Sequence, residues 1–171
     1  MIKLRVPEWC CAIRFNSKSS NIIDDTDAKF TVIKDSYRYW TADPFLFKKE
    51  EKYYLFFEMF DRLKRKGLLG CREISENGFG KMRIIYECRN HLSYPYIFEY
   101  DDDIFIIPEC EQSGELFLLK CVKFPTEWKK EKVLINQRLV DTTPITFEGV
   151  NYFISEIVDD KKVFDRVDLF Y

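Results

Sequence analysis

A chain of 171 residues is long enough for one domain with a real hydrophobic core. A hydrophobic share of 46%, a charged share of 33% and a net charge of −2 fit a globular protein; they argue against one that binds nucleic acid through the phosphate backbone. The aromatic share of 17%, with 16 Phe and 10 Tyr against 6 Gly, leans towards β-structure and ring-lined surfaces.

The amino terminus, Met1 to Trp9, lacks an apolar core of signal-peptide length, and no run approaches the roughly 18 apolar residues of a membrane span. The expectation is a cytoplasmic protein with no membrane insertion, whose six cysteines stay reduced. None of them forms a Cys-x-x-Cys pair and His91 is the only histidine, so neither a metal nor a cofactor is expected. Residues 9–15 (Trp-Cys-Cys-Ala-Ile-Arg-Phe) read as a strand, Asn16 to Lys29 as a polar loop, and Phe30 to Lys34 as a second short strand.

A hairpin follows. Trp40-Thr-Ala-Asp-Pro-Phe-Leu-Phe and Tyr53-Tyr-Leu-Phe-Phe-Glu58 read as two strands joined by a charged turn, which brings Asp43 and Glu58 to the same end. The basic run Arg62 to Lys66 reads as a solvated hairpin tip. The pattern recurs as Tyr94-Pro-Tyr-Ile-Phe with Ile104-Phe-Ile-Ile-Pro-Glu109, and again as Thr143-Pro-Ile-Thr-Phe with Asn151-Tyr-Phe-Ile-Ser-Glu156. Proline to glutamate spans 14, 14 and 12 residues, which reads as a shorter turn in the third copy. Aligned on proline, Asp43, Tyr94 and Thr143 are equivalent, and each proline opens its strand.

Two more strand-like segments separate successive copies: 68–74 and 82–88 after the first, 115–122 and 131–135 after the second. Four short strands per period of about 50 residues, without amphipathic helices, are the signature of propeller blades. A β-sandwich would have a similar strand count, but it gives no reason for three hairpins to share residues at both ends. The expectation is an all-β fold of propeller blades in a single domain, 1–171, with repeats near 40–90, 91–141 and 142–171. The last segment, 164–171, reads as a third strand without a fourth, and the strands within 9–34 are expected to help closure. About three blades fall short of a usual ring, so open blade edges are expected to support a homo-oligomer.

Inner strands of a propeller begin around one end of its axis. That placement gathers Asp43, Glu58, His91, Tyr94, Glu109, Asp141 and Glu156 at one mouth, with Trp40 just before. Carboxylates accept hydrogen bonds from sugar hydroxyls, and rings stack on the apolar face of a pyranose. Two carboxyl groups about 6.5–9.5 Å apart would also permit inverting glycoside hydrolysis, provided their pKa values are pushed apart. Asp43, Glu109 and Asp141 are the candidate catalytic residues; Trp40, Glu58, His91, Tyr94 and Glu156 are the candidate substrate contacts. Cys110 has no marked base that would make it a nucleophile. No phosphate-binding loop or nucleophile elbow is present.

These stretches, Trp40 to Phe47, Lys52 to Glu58, His91 to Glu99, Ile106 to Glu109 and Val140 to Thr143, resemble the amino-terminal domain of the glucosamine inositolphosphorylceramide transferase family. That domain in turn looks like the five-bladed propellers of glycoside hydrolase family 43. The resemblance implies a five-bladed fold, incomplete here, in a carbohydrate context such as polysaccharide or glycolipid assembly. In the hydrolase family a first-blade Asp acts as base, matched by Asp43, with a second-blade Asp and an acid Glu. Tyr94 stands at the second-blade position, a departure from the hydrolase pattern. The expected function is a carbohydrate-associated module that binds a glycan or glycoconjugate. The alternatives are an inverting hydrolase with Asp43 as base and Glu109 as acid, and a structural protein-interaction module. An enzymatic role would make it a glycoside hydrolase or an accessory domain of a glycosyltransferase.

Overall fold

The structure is a computed structural model that describes residues 9–15, 29–34, 36–159 and 167–171. Residues 16–28 of the polar loop expected over 16–29, the amino-terminal residues 1–8 and the start of the last expected strand, within 160–166, lie outside the described residues. In chain order the strands are β1 (Ala12–Ile13), β2 (Thr31–Val32), β3 (Tyr39–Lys49), β4 (Lys52–Asp61), β5 (Lys66–Ser75), β6 (Gly78–Phe79) and β7 (Arg83–Tyr86). They continue with β8 (Ser93–Tyr100), β9 (Asp103–Glu109), β10 (Leu116–Lys123), β11 (Glu127–Ile135), β12 (Leu139–Phe147), β13 (Val150–Ile157) and β14 (Val167–Phe170).

They form three antiparallel sheets in succession, each a meander. The first runs β3-β4-β5-β6 with β7 also on β5, the second β8-β9-β10-β11, and the third β12-β13-β14. This is part of a β-propeller. Alternation along a strand sends successive side chains to opposite faces, and the middle strands are apolar on both. On β9, Ile104 and Ile106 join Phe56, Leu69 and Phe117 between the first and second sheets. Ile107 of the same strand faces the other way, to Leu116, Leu118 and Leu139 between the second and third. Strands buried on both faces read as near-continuous apolar runs, as Leu55-Phe-Phe-Glu-Met59 does in β4. Each such side chain contributes roughly 1.5–3 kcal/mol by leaving water.

Strands β1 and β2 pair with each other, and Cys11 and Ile33 beside them pack on Leu55, Phe57 and Met59. They cover the outer side of the first sheet. The third sheet has three described strands, and its outward side chains, Ile145, Phe147, Val150, Val167, Leu169 and Tyr171, are exposed.

The three hairpins are superimposable in register, in a way that proline alignment misses. Ala42 pairs with Glu58, Ser93 with Glu109 and Val140 with Glu156. The next pairs are Phe45 with Phe56, Tyr96 with Ile107 and Thr143 with Ile154. Two residues therefore face one at each place, a β-bulge. The first bulge residue is Asp43, Tyr94 or Asp141, with φ of 48°, 43° and 51°. From that residue to the glutamate is 15 residues in every copy, and all three hairpin turns are two residues long, 50–51, 101–102 and 148–149.

The third copy does not have a shorter turn. Its Pro144 lies two positions past the bulge and pairs with Phe153. Asp141, not Thr143, is the counterpart of Asp43. Nor do Pro44 and Pro95 open their strands: β3 begins at Tyr39 and β8 at Ser93. The bulge interrupts the ladder, which is where a residue without an N–H fits inside a strand.

The basic run is a four-residue turn between β4 and β5, organised by Asp61. The Asp61 carboxylate is fully buried and accepts hydrogen bonds from Arg38 (2.7 and 3.1 Å) and from the N–H groups of Leu63 (2.9 Å) and Lys64 (3.2 Å). Three basic side chains of the run are engaged: Lys64 and Lys66 pair with Glu87, and Arg62 donates to the carbonyls of Ser36 and Tyr37.

Candidate functional site

The bulges put Asp43, Tyr94 and Asp141 at one end of the three inner strands. A non-glycine residue at positive φ is strained, more so for a bulky one such as Tyr94. The strain is held by contacts that run from sheet to sheet. The Asp43 carboxylate accepts the Tyr94 N–H at 3.2 Å, and the Tyr94 hydroxyl hydrogen-bonds the Thr143 hydroxyl at 2.9 Å. In the same sense, one sheet further on, the Asp141 N–H donates to Glu109 Oε2 at 3.1 Å.

His91 lies just before β8, between the first two sheets. Its Nδ1 accepts the Gly67 N–H at 3.0 Å, so the ring proton sits on Nε2, which is 3.2 Å from Glu58 Oε1. The His91 N–H in turn donates to Gln112 at 3.4 Å. Glu58 is only 5% exposed, and its Oε1 has no hydrogen bond of good geometry. At that distance the Nε2 proton still faces the carboxylate.

Gly67 makes this packing possible. A Cβ there would fall 2.2 Å from the Leu92 carbonyl oxygen and 2.7 Å from Glu58 Oε1. A glycine inside a strand marks such a close approach. A glycine in the apolar run Gly67-Leu-Leu-Gly is the sequence signal for it.

The charges of the cluster act on one another. Burial is the largest influence on Asp43 and raises its pKa, with the Glu58 and Asp141 charges adding to it; the Tyr94 N–H and His91 oppose. Glu109 is pushed up to about 7, first by burial and then by Asp141, against the Asp141 N–H and the Ser93 hydroxyl. The Glu58 carboxylate raises the pKa of His91 against burial, and Glu109 and Asp43 contribute in the same sense. Near neutral pH, then, Glu109 holds a proton for part of the time and can donate a hydrogen bond. Two carboxyl groups in one mouth differ in environment, the arrangement that separates proton donors from acceptors.

The structure thus brings together Asp43, Glu58, His91, Tyr94, Glu109 and Asp141. Trp40 is 9% exposed and stacked on Phe60, with centroids 4.6 Å apart and planes 10° from parallel, so one ring face is covered. Glu156 sits opposite Val140 on β13; its Oε1 is buried with no hydrogen-bond partner, and no contact among the described residues links it to the cluster. Beside the mouth a cleft of about 350 Å³ is lined by His91, Glu109, Gln112, Arg138 and Val140, with Glu111 paired to Arg138. Gln112 and Arg138 carry no motif, and nothing in the sequence marks them. Among the described residues no group of three His, Cys, Asp or Glu side chains is placed to hold a metal ion.

The family model described as Glucosamine inositolphosphorylceramide transferase 1, N-terminal, matches residues 28–167. The chain is 36% identical over 115 residues to Glucosamine inositolphosphorylceramide transferase 1 of Arabidopsis thaliana. It is 34% identical over 113 residues to the protein of the same name from Oryza sativa subsp. indica. These matches cover 66% and 65% of this chain but only 15% of each relative. Among solved structures, an α-L-arabinofuranosidase from Lactobacillus brevis superposes with a TM-score of 0.53 at 15% identity, over 75% of this chain and 47% of that one. A GH32 β-fructofuranosidase from Bombyx mori superposes with a TM-score of 0.46 at 13% identity, over 74% and 33%. The likeness to the arabinofuranosidase shows the fold.

Proposed function

This chain belongs to the glucosamine inositolphosphorylceramide transferase 1 N-terminal family, and from that premise we propose that it is a carbohydrate-associated propeller module whose mouth binds a glycan or glycoconjugate. The observation that carries the reading is the mouth itself: Asp43, Tyr94, Glu109 and Asp141 from three successive sheets, tied to one another across the sheet boundaries. Asp43 and Asp141 offer carboxylate acceptors to sugar hydroxyls. Glu109, with its pKa raised to about 7, offers a donor to a ring or glycosidic oxygen. Tyr94 supplies a half-buried ring beside them. Screening the protein on a glycan array, then titrating the hits by calorimetry, tests this. The expectation is a saturable ligand whose affinity drops at least tenfold in Asp43→Ala. The reading fails if no glycan binds, or if the variant binds as wild type does.

A second reading is favoured by the Glu109 environment alone. A carboxyl group protonated near neutral pH is what the acid of an inverting glycosidase requires, with Asp43 as the base towards water. Tyr94 in the second sheet weighs against it, as does the use of one Asp43 oxygen by the Tyr94 N–H. Aryl glycosides are the probe. Turnover abolished by both Asp43→Asn and Glu109→Gln supports hydrolysis; no turnover across the series rules it out.

A further inference from the structure

Two of the six cysteines are neighbours in space and flank the mouth. Cys88 lies in the segment between β7 and β8, three residues before His91, and Cys110 follows Glu109 directly. Their Sγ atoms are 4.0 Å apart, the Cys88 thiol also donating to the Asn90 carbonyl at 3.5 Å. All six thiols are free in this state. A disulfide holds its sulfurs about 2.0 Å apart, so joining these two takes an approach of about 2 Å, the scale of a side-chain rotation at the half-buried Cys88.

We propose that Cys88 and Cys110 are a thiol modification site that takes a low-molecular-weight disulfide of the glutathione type and closes reversibly to a Cys88–Cys110 bond, clamping the His91 segment to the Glu109 end of β9. The chemistry balances in two exchanges. The Cys88 thiolate attacks one sulfur of oxidised glutathione; a protein–glutathione S–S bond forms, the glutathione S–S bond breaks, and one glutathione leaves as thiolate and takes up a proton. The Cys110 thiolate then attacks Cys88 Sγ, and the second glutathione leaves in the same way. Two protein thiols are oxidised and one glutathione disulfide is reduced to two thiols.

The order follows from exposure. Cys88 is half-buried, the more accessible of the two, and meets the reagent first, while Cys110 is buried at 3% exposure and resolves. Burial pushes the Cys110 thiol up to about 11, so its attack depends on being held beside Cys88. Closing the bond withdraws the Cys88 S–H from Asn90, which shapes the approach to His91. The site does not depend on which ligand the mouth takes.

The test is to equilibrate the full chain with mixtures of reduced and oxidised glutathione, alkylate the free thiols, and map peptides without reduction. After alkylation in denaturant, the expected result is one cross-linked pair containing Cys88 and Cys110, neither of them alkylated, and reversal by excess reduced glutathione. His91 is the only histidine, so its imidazole NMR titration reports the clamp without overlap. Its midpoint is expected to differ between the two forms of the wild type and to coincide for the two treatments of Cys88→Ser. Cys110→Ala, close in volume to the native residue, should stop at the Cys88–glutathione adduct. If both thiols remain alkylatable while exposed Cys10 is glutathionylated, or if the cross-link joins another pair, the site is refuted. Cross-linking with an unmoved His91 titration refutes the clamp.

Discussion

Gly67→Ala is the sharpest probe of how the mouth is built. The added methyl would lie 2.2 Å from the Leu92 carbonyl oxygen, 2.7 Å from Glu58 Oε1 and 3.0 Å from His91 Cε1. The nearest of these is backbone, and that backbone is itself tied down, since the Leu92 N–H donates to the Gly67 carbonyl at 3.1 Å. Relief requires the 91–92 segment to move off β5, which breaks that bond and the one from the Gly67 N–H to His91 Nδ1. Overpacking costs about 1–3 kcal/mol and each lost hydrogen bond about 0.5–1.5 kcal/mol. The variant is therefore expected to lose about 2–6 kcal/mol in urea denaturation. In the folded fraction the His91 titration should change, because the imidazole leaves both Glu58, which favours its charged form, and the Gly67 N–H, which favours its neutral form. A variant as stable as wild type within about 0.5 kcal/mol, with an unchanged His91 titration, would refute the close approach.

Glu58→Gln removes the largest influence raising His91, so the His91 midpoint is expected to fall, as read by NMR. The raised value also carries a sign: that contribution to stability is present below the unfolded pKa near 6.5 and is lost as pH rises through the folded one. Glu109 behaves oppositely to a salt-bridged carboxylate. With its pKa raised from 4.5 to about 7, the folded state keeps a proton that the unfolded chain has released, so stability falls as pH rises between those values. Glu109→Gln should flatten that slope and be the more stable protein at pH 8 by up to about 3 kcal/mol in denaturant titrations. Asp61→Ala strips two backbone N–H groups and Arg38 of their acceptor. The expected loss is about 2–4 kcal/mol in urea denaturation. Because Arg38 holds Asp61 below the usual carboxylate range, the wild-type contribution is lost as pH falls through that lowered value, and the variant should lack this acid dependence.

Much of the architecture is legible in the residues because strand alternation is a local property. Ile104-Phe-Ile-Ile and Leu116-Phe-Leu-Leu read as strands, and they are. Register is harder, since it is set by backbone geometry. Proline looked like the natural anchor of the repeat, yet what repeats is a left-handed residue 15 positions before a glutamate, and residue type does not mark it: the position holds Asp, Tyr and Asp. Aligned on proline, Thr143 takes the place that Asp141 holds in register. Trp40 read as a ring for the mouth, but its cross-strand partner is Phe60, and pairing on a common face stacks the two rings. The partnership of His91 with Glu58 and Gly67 joins segments 24 and 33 residues apart, and no local pattern encodes it.

The central claim is that a glycan occupies this mouth, and His91 offers the most direct view of it. The measurement is the His91 imidazole NMR signal during titration with the tightest-binding glycan from the array, in wild type and in Asp43→Ala. The account predicts a saturable shift of that signal in the wild type, with the same midpoint as the calorimetric binding curve, and no shift over the same range in the variant. Binding by calorimetry that leaves the His91 signal unmoved would place the ligand elsewhere and contradict the account.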